Sequence, residues 1–358
     1  MKKIKKGFIL PSAAFTLKPA LIKTYDNFDR KPEVGDVVYG KITRIGQHST
    51  LENVSGRIHM IHNGSRAIFI YGNRYAPDYY EGLVPEVNRL EVDLLARSGI
   101  IGEVKTKNAM VKDPTRVQIL GYVCTGDGRV LNTKNFPTVK PKTGEMKNRL
   151  PMILVCGTSM NSGKSMAAAA CCWALSSAGY GVRASKATGT ASLKDILHMN
   201  DAGAGHYSDF TCLGYPSTYM LGETELLHIF NTLDMKYAKN TKNFWVVEFA
   251  DGIIQREAGK LLLSEAVRSR IHRLIFCAAD AFGAIGGLEV LKNRYNLEPD
   301  AISGVCSSSP LHIRELSEFT TIPVFNSAKP DRNQITDLLL PGNLQGSNRQ
   351  VNITKKAS

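Results

Sequence analysis

No apolar run in this 358-residue sequence approaches the roughly 20 residues that a membrane-crossing helix needs, so a helical membrane span is excluded as its organising feature. The basic opening Met1, Lys2, Lys3, Ile4, Lys5, Lys6 is followed by a short apolar stretch broken at Pro11, without the small-residue cleavage site of a secretory leader. The seven cysteines include no Cys-x-x-Cys pair and most lie in apolar segments, which argues against disulfides and structural zinc. There is no internal repeat. These absences imply a cytoplasmic chain with reduced, packed thiols. With 43% hydrophobic and 22% charged residues, the composition is that of an ordinary globular protein, long enough for two domains and a tail.

Charge divides the chain. Residues 1–150 hold 25 Lys+Arg against 14 Asp+Glu, whereas 151–358 hold 20 against 18, so the net +13 is mainly N-terminal. Such an excess is either an ordinary solvated surface or a footprint for a polyanion. Residues 36–130 alternate apolar and polar side chains over short runs separated by Asn63-Gly64, Gly72-Asn73 and Asp127-Gly128, as in a small β-rich domain. The run from Val34 through Ile42 resembles the first strand of S1-type oligonucleotide-binding barrels. Tyr39, Phe69, Tyr71, Tyr75, Tyr79 and Tyr80 would then be either stacking surfaces or core.

The pattern changes beyond a Pro-, Lys- and Thr-rich stretch. Short apolar runs at 152–156, 244–247, 274–277, 302–306 and 322–325 alternate with helix-like segments at 164–178, 258–268, 281–294 and 311–318. Continuous apolar runs of this length suit strands buried on both faces of a parallel sheet, with helices as crossovers. The expected class is therefore α/β, with a mostly parallel sheet flanked by helices and preceded by a small β-rich, barrel-like domain. The boundaries follow as 1–134 for the barrel, 135–149 for a linker, 150–340 for the α/β domain and 341–358 for a flexible tail.

The strongest signal is the loop Gly157, Thr158, Ser159, Met160, Asn161, Ser162, Gly163, Lys164, Ser165, set between an apolar strand and the Ala-rich run that begins at Met166. A strand, a glycine loop and a helix start in that order aim backbone N–H groups and the positive helix end at phosphate oxygens. Lys164 would reach the β and γ phosphates of a nucleotide, and Ser165 would ligand Mg²⁺. Thr158 stands where the usual phosphate loop has its first glycine, and Gly157 precedes it.

The arrangement Gly-Thr-x-x-x-x-Gly-Lys-Ser resembles the loop of dethiobiotin synthetase and its P-loop relatives among the cobyrinate amidases and molybdopterin-guanine dinucleotide accessory proteins. The resemblance covers about residues 151–330. It implies that Lys186, in the loop after a second strand, stabilises charge, and that Asp201 supplies a metal ligand, with Asp209 as the competing aspartate. It also implies that Glu248, at the end of the run from Phe244, serves the metal side of the site; Asp251 departs from the family's glycine-rich sequence and is a candidate second ligand or base on its own position alone. A more distant resemblance, on 186–190, Ser208-Asp209-Phe210 and the Glu248 strand, is to an uncharacterised P-loop branch linked to D-amino-acid metabolism. The segment 302–310 falls where relatives recognise the base, and Asn326 to Asp331 contains a loose x-Lys-x-Asp that would read guanine.

The expected function is an ATP- and Mg²⁺-dependent P-loop enzyme, with GTP as the alternative nucleotide, that phosphorylates or ligates a small carboxylate substrate. The resemblance also implies a homodimer. The rival expectation is a nucleotide-switched NTPase whose basic barrel grips nucleic acid. Delivery of a metal cargo is disfavoured by the lack of a Cys or His cluster.

Overall fold

A computed structural model describes residues 1–5, 7–141, 149–237 and 243–340. The expected tail, 341–358, and the centre of the expected linker, 142–148, lie outside the described residues.

In the α/β half, six strands form one sheet: β1 Met152–Gly157, β2 Gly181–Lys186, β3 His206–Asp209, β4 Asn243–Glu248, β5 Ile271–Cys277 and β6 Ala301–Ser303, in the order β3-β2-β4-β1-β5-β6. All five neighbouring pairs run parallel. On β1, Met152, Leu154 and Cys156 pack on one face, and Ile153 and Val155 on the other. Both faces are apolar because both are covered. Helices α1 Lys164–Ser177 and α2 Leu193–Asp201 lie on the Ile153 side; α3 Glu223–Lys236, α4 Arg256–Leu263 and α5 Ala281–Tyr295 lie on the other. The chain continues through α6 Pro310–Ser317 to α7 Arg332–Leu339, whose Ile335 and Leu339 return to the Ile153 face.

Two expectations are corrected. The segment 258–268 is not one helix: α4 ends at Leu263, and Ser264, in extended conformation, begins a separate turn at Glu265–Arg268. The run 322–325 makes only an isolated parallel bridge between Val324 and Ile302. Pro323 has no N–H to give a ladder, so the run stays at the edge without becoming a strand.

The N-terminal half closes on itself. Val37–Arg44 pairs with Arg66–Tyr71 and with Thr115–Cys124, Arg66–Tyr71 runs parallel to Ile100–Lys107, and Glu91–Ala96 pairs with both Ile100–Lys107 and Thr115–Cys124. The result is a five-stranded barrel, which leaves no open edge among these strands. Tyr39, Phe69 and Tyr71 are buried in its core, and Tyr80 is buried beside it. Four of the six aromatics considered for stacking on bases are thus buried, and Tyr75 and Tyr79 alone are partly exposed.

The two halves are joined by buried polar contacts. Glu52 of the barrel, with no exposed surface, accepts hydrogen bonds from the backbone N–H groups of Leu193 (3.0 Å) and Lys194 (3.2 Å) at the start of α2. Ser192, the N-cap residue, makes no side-chain cap, so a carboxylate from the barrel does this work. Ser12 Oγ donates to the same carboxylate at 2.5 Å. Thr133 Oγ1 donates to the Gly214 carbonyl at 2.6 Å, and Tyr219 Oη to Glu81 at 2.6 Å. Within the expected linker, Thr138 and Val139 both donate their N–H to the Cys212 carbonyl.

Candidate active site

The phosphate loop leaves β1 at the centre of the sheet, beside the point where the order turns from β4 to β5. In open parallel sheets such a point is where loops part and a cleft forms. Gly163 caps α1 with φ +94°, a left-handed conformation that a side chain disfavours, and a Cβ there would come within 2.7 Å of the Gly304 Cα. The loop is therefore pressed against the turn that follows β6. Among the described residues, no acceptor takes a hydrogen bond from the backbone N–H groups of 159–165. A row of such donors at a helix start is an anion cradle. Lys164, largely buried, crosses the mouth of the loop and donates to the Ser159 carbonyl (2.6 Å) and to Ser162 Oγ (3.4 Å).

Glu248 ends β4 beside this loop. Ser165 Oγ donates to Glu248 Oε1 at 3.2 Å, while Glu248 Oε2 is buried without a hydrogen-bond partner. Burial pushes the Glu248 carboxyl above its usual range, and Lys186 and Lys164 oppose that push. An orphaned carboxylate oxygen next to a serine hydroxyl and a phosphate cradle is a donor set that fits Mg²⁺, which takes few protein oxygens and completes its octahedron with phosphate and water. No cluster of three or more His, Cys, Asp or Glu is found among the described residues.

Lys186 ends β2 and forms a buried ion pair with Asp195 of α2. Burial works against its charge, but the carboxylates of Asp195 and Glu248 outweigh burial and hold the ammonium pKa above its ordinary value. Asp195 feels the same pair from the other side: burial raises it, and Lys186 brings it below the usual carboxylate value. Asp251 takes a left-handed backbone (φ 63°) just past β4, and burial pushes its carboxyl up to about 6 despite Lys186 and Lys164 nearby.

These side chains share one cleft of about 690 Å³, lined by Lys164, Ser165, Lys186, Asp195, Glu248 and Asp251 on the α/β side. Met160, Asn161, Gly163 and Met166 of the loop region also reach it. Its opposite wall belongs to the barrel and carries His48, Arg74, Tyr79, Arg97 and Ser98. Asn161 is hydrogen-bonded across to Asp78 of the barrel.

The structure does not bring Asp201 into the cleft. It is the last residue of α2, exposed, and does not line the cleft; Asp195, nearly two turns earlier, pairs with Lys186 instead. Asp209 is paired in register with Lys186 but is buried as a local cap, accepting from Thr211 N (2.9 Å) and the Thr211 hydroxyl. Asn326 Oδ1 accepts from the N–H groups of Ala328 and Lys329, and Asp331 caps α7 through Gln334 N (2.8 Å). Of the x-Lys-x-Asp residues, Asp331 is thus occupied as a helix cap and Lys329 sits in the turn that Asn326 closes. Asp195 had a signal in the sequence, an acid one turn into a helix opened by Ser192. The barrel wall had none, since its members are scattered over 48–98 with no common spacing.

No family model matches this chain, and no curated protein matches it. Among solved structures, the signal recognition particle receptor FtsY from Elizabethkingia anophelis is 12% identical, with a TM-score of 0.33 over 55% of this chain and 63% of that one. The same receptor in complex with GDP is 11% identical, with a TM-score of 0.36 over 57% and 68%. A ParA family ATPase from Chlorobium tepidum TLS is 14% identical, with a TM-score of 0.34 over 54% and 89%. The match thus covers under two thirds of the first of these receptors. No helix among the described residues is long and apolar enough to cross a membrane. What the chain's own geometry shows, from β1 through the glycine loop to α1 in a parallel sheet, is a phosphate-loop arrangement in an α/β fold.

Proposed function

We propose that this protein is a Mg²⁺- and ATP-dependent enzyme of the dethiobiotin synthetase type, which transfers the γ-phosphoryl group to a small carboxylate substrate held between the phosphate loop and the barrel. The observation that carries this reading is the juxtaposition of Ser165 with the half-unsatisfied Glu248 in a cleft that the barrel walls off. A cleft walled on both sides limits water at the reacting centre and strengthens every charge interaction within it.

In this mechanism the amides of the loop and Lys164 hold the phosphates, while Ser165 and Glu248 would hold Mg²⁺, which would supply neutralisation of phosphate charge. An acceptor carboxylate oxygen forms the new bond to the γ-phosphorus as the bond from that phosphorus to the bridging oxygen breaks. ADP leaves with the electron pair, and an acyl phosphate remains for a later nucleophile. A carboxylate acceptor needs no deprotonation in this step. Lys186, fixed by Asp195, faces the transferred group and spreads its charge, so positioning and electrostatics do most of the work.

Turnover of ATP by the purified protein, with and without Mg²⁺, tests this reading against Lys164→Ala. Mg²⁺-dependent turnover that falls by at least about 100-fold in the variant supports it, since losing a preorganised charge at a phosphoryl group is worth several kcal/mol. Intact turnover in the variant would remove Lys164 and the loop from the mechanism. Stimulation by RNA would favour the nucleic-acid switch, whose stacking platform the buried aromatics of the barrel do not supply.

A further inference from the structure

The barrel wall of the cleft holds a cation that the phosphate loop does not need. Arg74, at the start of the barrel strand Arg74–Tyr75, is 7% exposed, yet among the described residues it forms no ion pair. Its Nη1 lies 2.9 Å from His48 Nε2, and its buried Nε has no partner. The same Nε2 lies 3.0 Å from the Leu95 carbonyl, so this nitrogen is shared between a donor and an acceptor, and in neither tautomer does the ring give the guanidinium a counter-charge. Burial, assisted by the charge of Arg74 itself, holds the His48 pKa down to about 4, in keeping with that arrangement. Tyr79 completes the setting: its ring lies 5.2 Å from the guanidinium carbon and stacks on His48 with centroids 5.7 Å apart.

A buried, unpaired cation is costly unless something completes it. Here the protein fixes the guanidinium against a ring and an imidazole in the cleft wall, where the Asp251 carboxylate acts on it through space without pairing with it. Two further groups of the wall point to the same kind of ligand. Ser98 Oγ is buried with no hydrogen-bond partner, and Arg97, beside it in the turn between the strands Glu91–Ala96 and Ile100–Lys107, is exposed on the cleft. Two guanidinium groups and an unsatisfied hydroxyl on one surface form a receptor for an oxyanion, which arginine grips through paired N–H donors.

We infer that Arg74, Arg97 and Ser98 form an anchor for an oxyanion of the acceptor separate from the carboxylate that reacts, so that the substrate carries two anionic groups and lies across the cleft from the barrel to the phosphate loop. The inference rests on the proposed function for the identity of the reacting end, but the anchor itself is a binding site that can be measured without nucleotide. An oxyanion on this wall has two sources, the acceptor and the nucleotide's own terminal phosphate, and the test separates them.

Isothermal titration of the full chain with succinate, with inorganic phosphate and with Mg²⁺ plus a non-hydrolysable ATP analogue is carried out on the wild type, Arg74→Gln and Arg97→Gln. Succinate affinity falls at least about ten-fold in each variant, the loss expected when a charge-assisted hydrogen bond is removed. The affinity for the nucleotide analogue changes less than that for succinate. Arg97 is exposed, so its variant keeps the test valid should replacement of the buried Arg74 disturb folding. Failure of succinate to bind the wild type, unchanged succinate affinity in Arg97→Gln, or a larger loss for the nucleotide analogue or inorganic phosphate than for succinate would each overturn the assignment to the acceptor. A wild type that binds succinate through these arginines but turns over no ATP would leave the anchor standing and sink the proposed function alone.

Discussion

Replacing Asp251 by Asn is expected to make the protein more stable and the enzyme worse. Asp251 stands in the cleft with a left-handed backbone, which Asn adopts about as readily as Asp, so the substitution changes charge without straining the chain. Its carboxyl is raised from 3.8 to about 6, chiefly by burial, with Glu257 adding to the rise and Lys186, Lys164 and Arg74 opposing it. A carboxyl whose folded pKa is raised binds its proton more tightly in the folded state, so stability falls as pH rises from about 4 to 6 and is level above that window. At neutral pH the ionised form costs the fold about 3 kcal/mol. Asn removes that cost. Urea unfolding should show the variant gaining about 1.5 kcal/mol at pH 5 and about 3 kcal/mol at pH 7.5, with nearly equal slopes against denaturant. Equal gains at the two pH values, or a loss at pH 7.5, would refute the claim that an uncompensated carboxylate is held in this cleft. If Asp251 orients the acceptor or its water shell, ATP turnover in the same variant falls while the stability rises, the usual sign of strain kept for function.

Glu248→Gln removes the charge that the buried Oε2 contributes, and the Mg²⁺ concentration for half-maximal turnover should rise at least about ten-fold; an unchanged Mg²⁺ dependence would take Glu248 out of the metal site. Asp201→Asn should leave both Mg²⁺ dependence and turnover unaltered, whereas Asp195→Asn should lower turnover by freeing Lys186, and the reverse ranking in a steady-state assay would restore the sequence-based assignment. Glu52→Gln turns an amide donor toward one of two backbone N–H groups at the start of α2, and urea unfolding should report a loss of about 1–3 kcal/mol.

What could be read from the sequence was whatever the backbone decides locally. The phosphate loop is nine consecutive residues whose work is done by main-chain N–H groups and two adjacent side chains, so its residues and its place at a strand-to-helix turn were visible in order. Glu248 could be placed because it ends an apolar strand and Lys186 through the family resemblance, and parallel strands deliver their C-terminal ends to the same edge of the sheet. Asp201 was misplaced because a helix turns a neighbouring acid through a large angle: six positions separate it from Asp195, and only three-dimensional packing decides which of them meets Lys186. The barrel wall was illegible for a different reason. His48, Arg74 and Ser98 come from three separate segments of a domain whose strand order departs from chain order, and nothing in their spacing brings them to one surface.

Glu52 explains why the barrel belongs to the active site and is more than an appended module. Its carboxylate caps α2, the helix that carries Asp195 into contact with Lys186, and its own backbone N–H donates to the carbonyl of Arg97 at 2.8 Å. One buried residue thus holds the helix that orients the phosphate-side lysine and the turn that presents the barrel-side arginine. Moving the barrel away would strip two N–H groups of their acceptor, leave Glu52 desolvated or flooded, and separate the two walls at once. A domain that only tethered nucleic acid would need no such contact with a catalytic helix. The buried cap, the four buried aromatics and the arginine without an ion pair in the cleft wall are the observations behind the proposal that the barrel selects the acceptor.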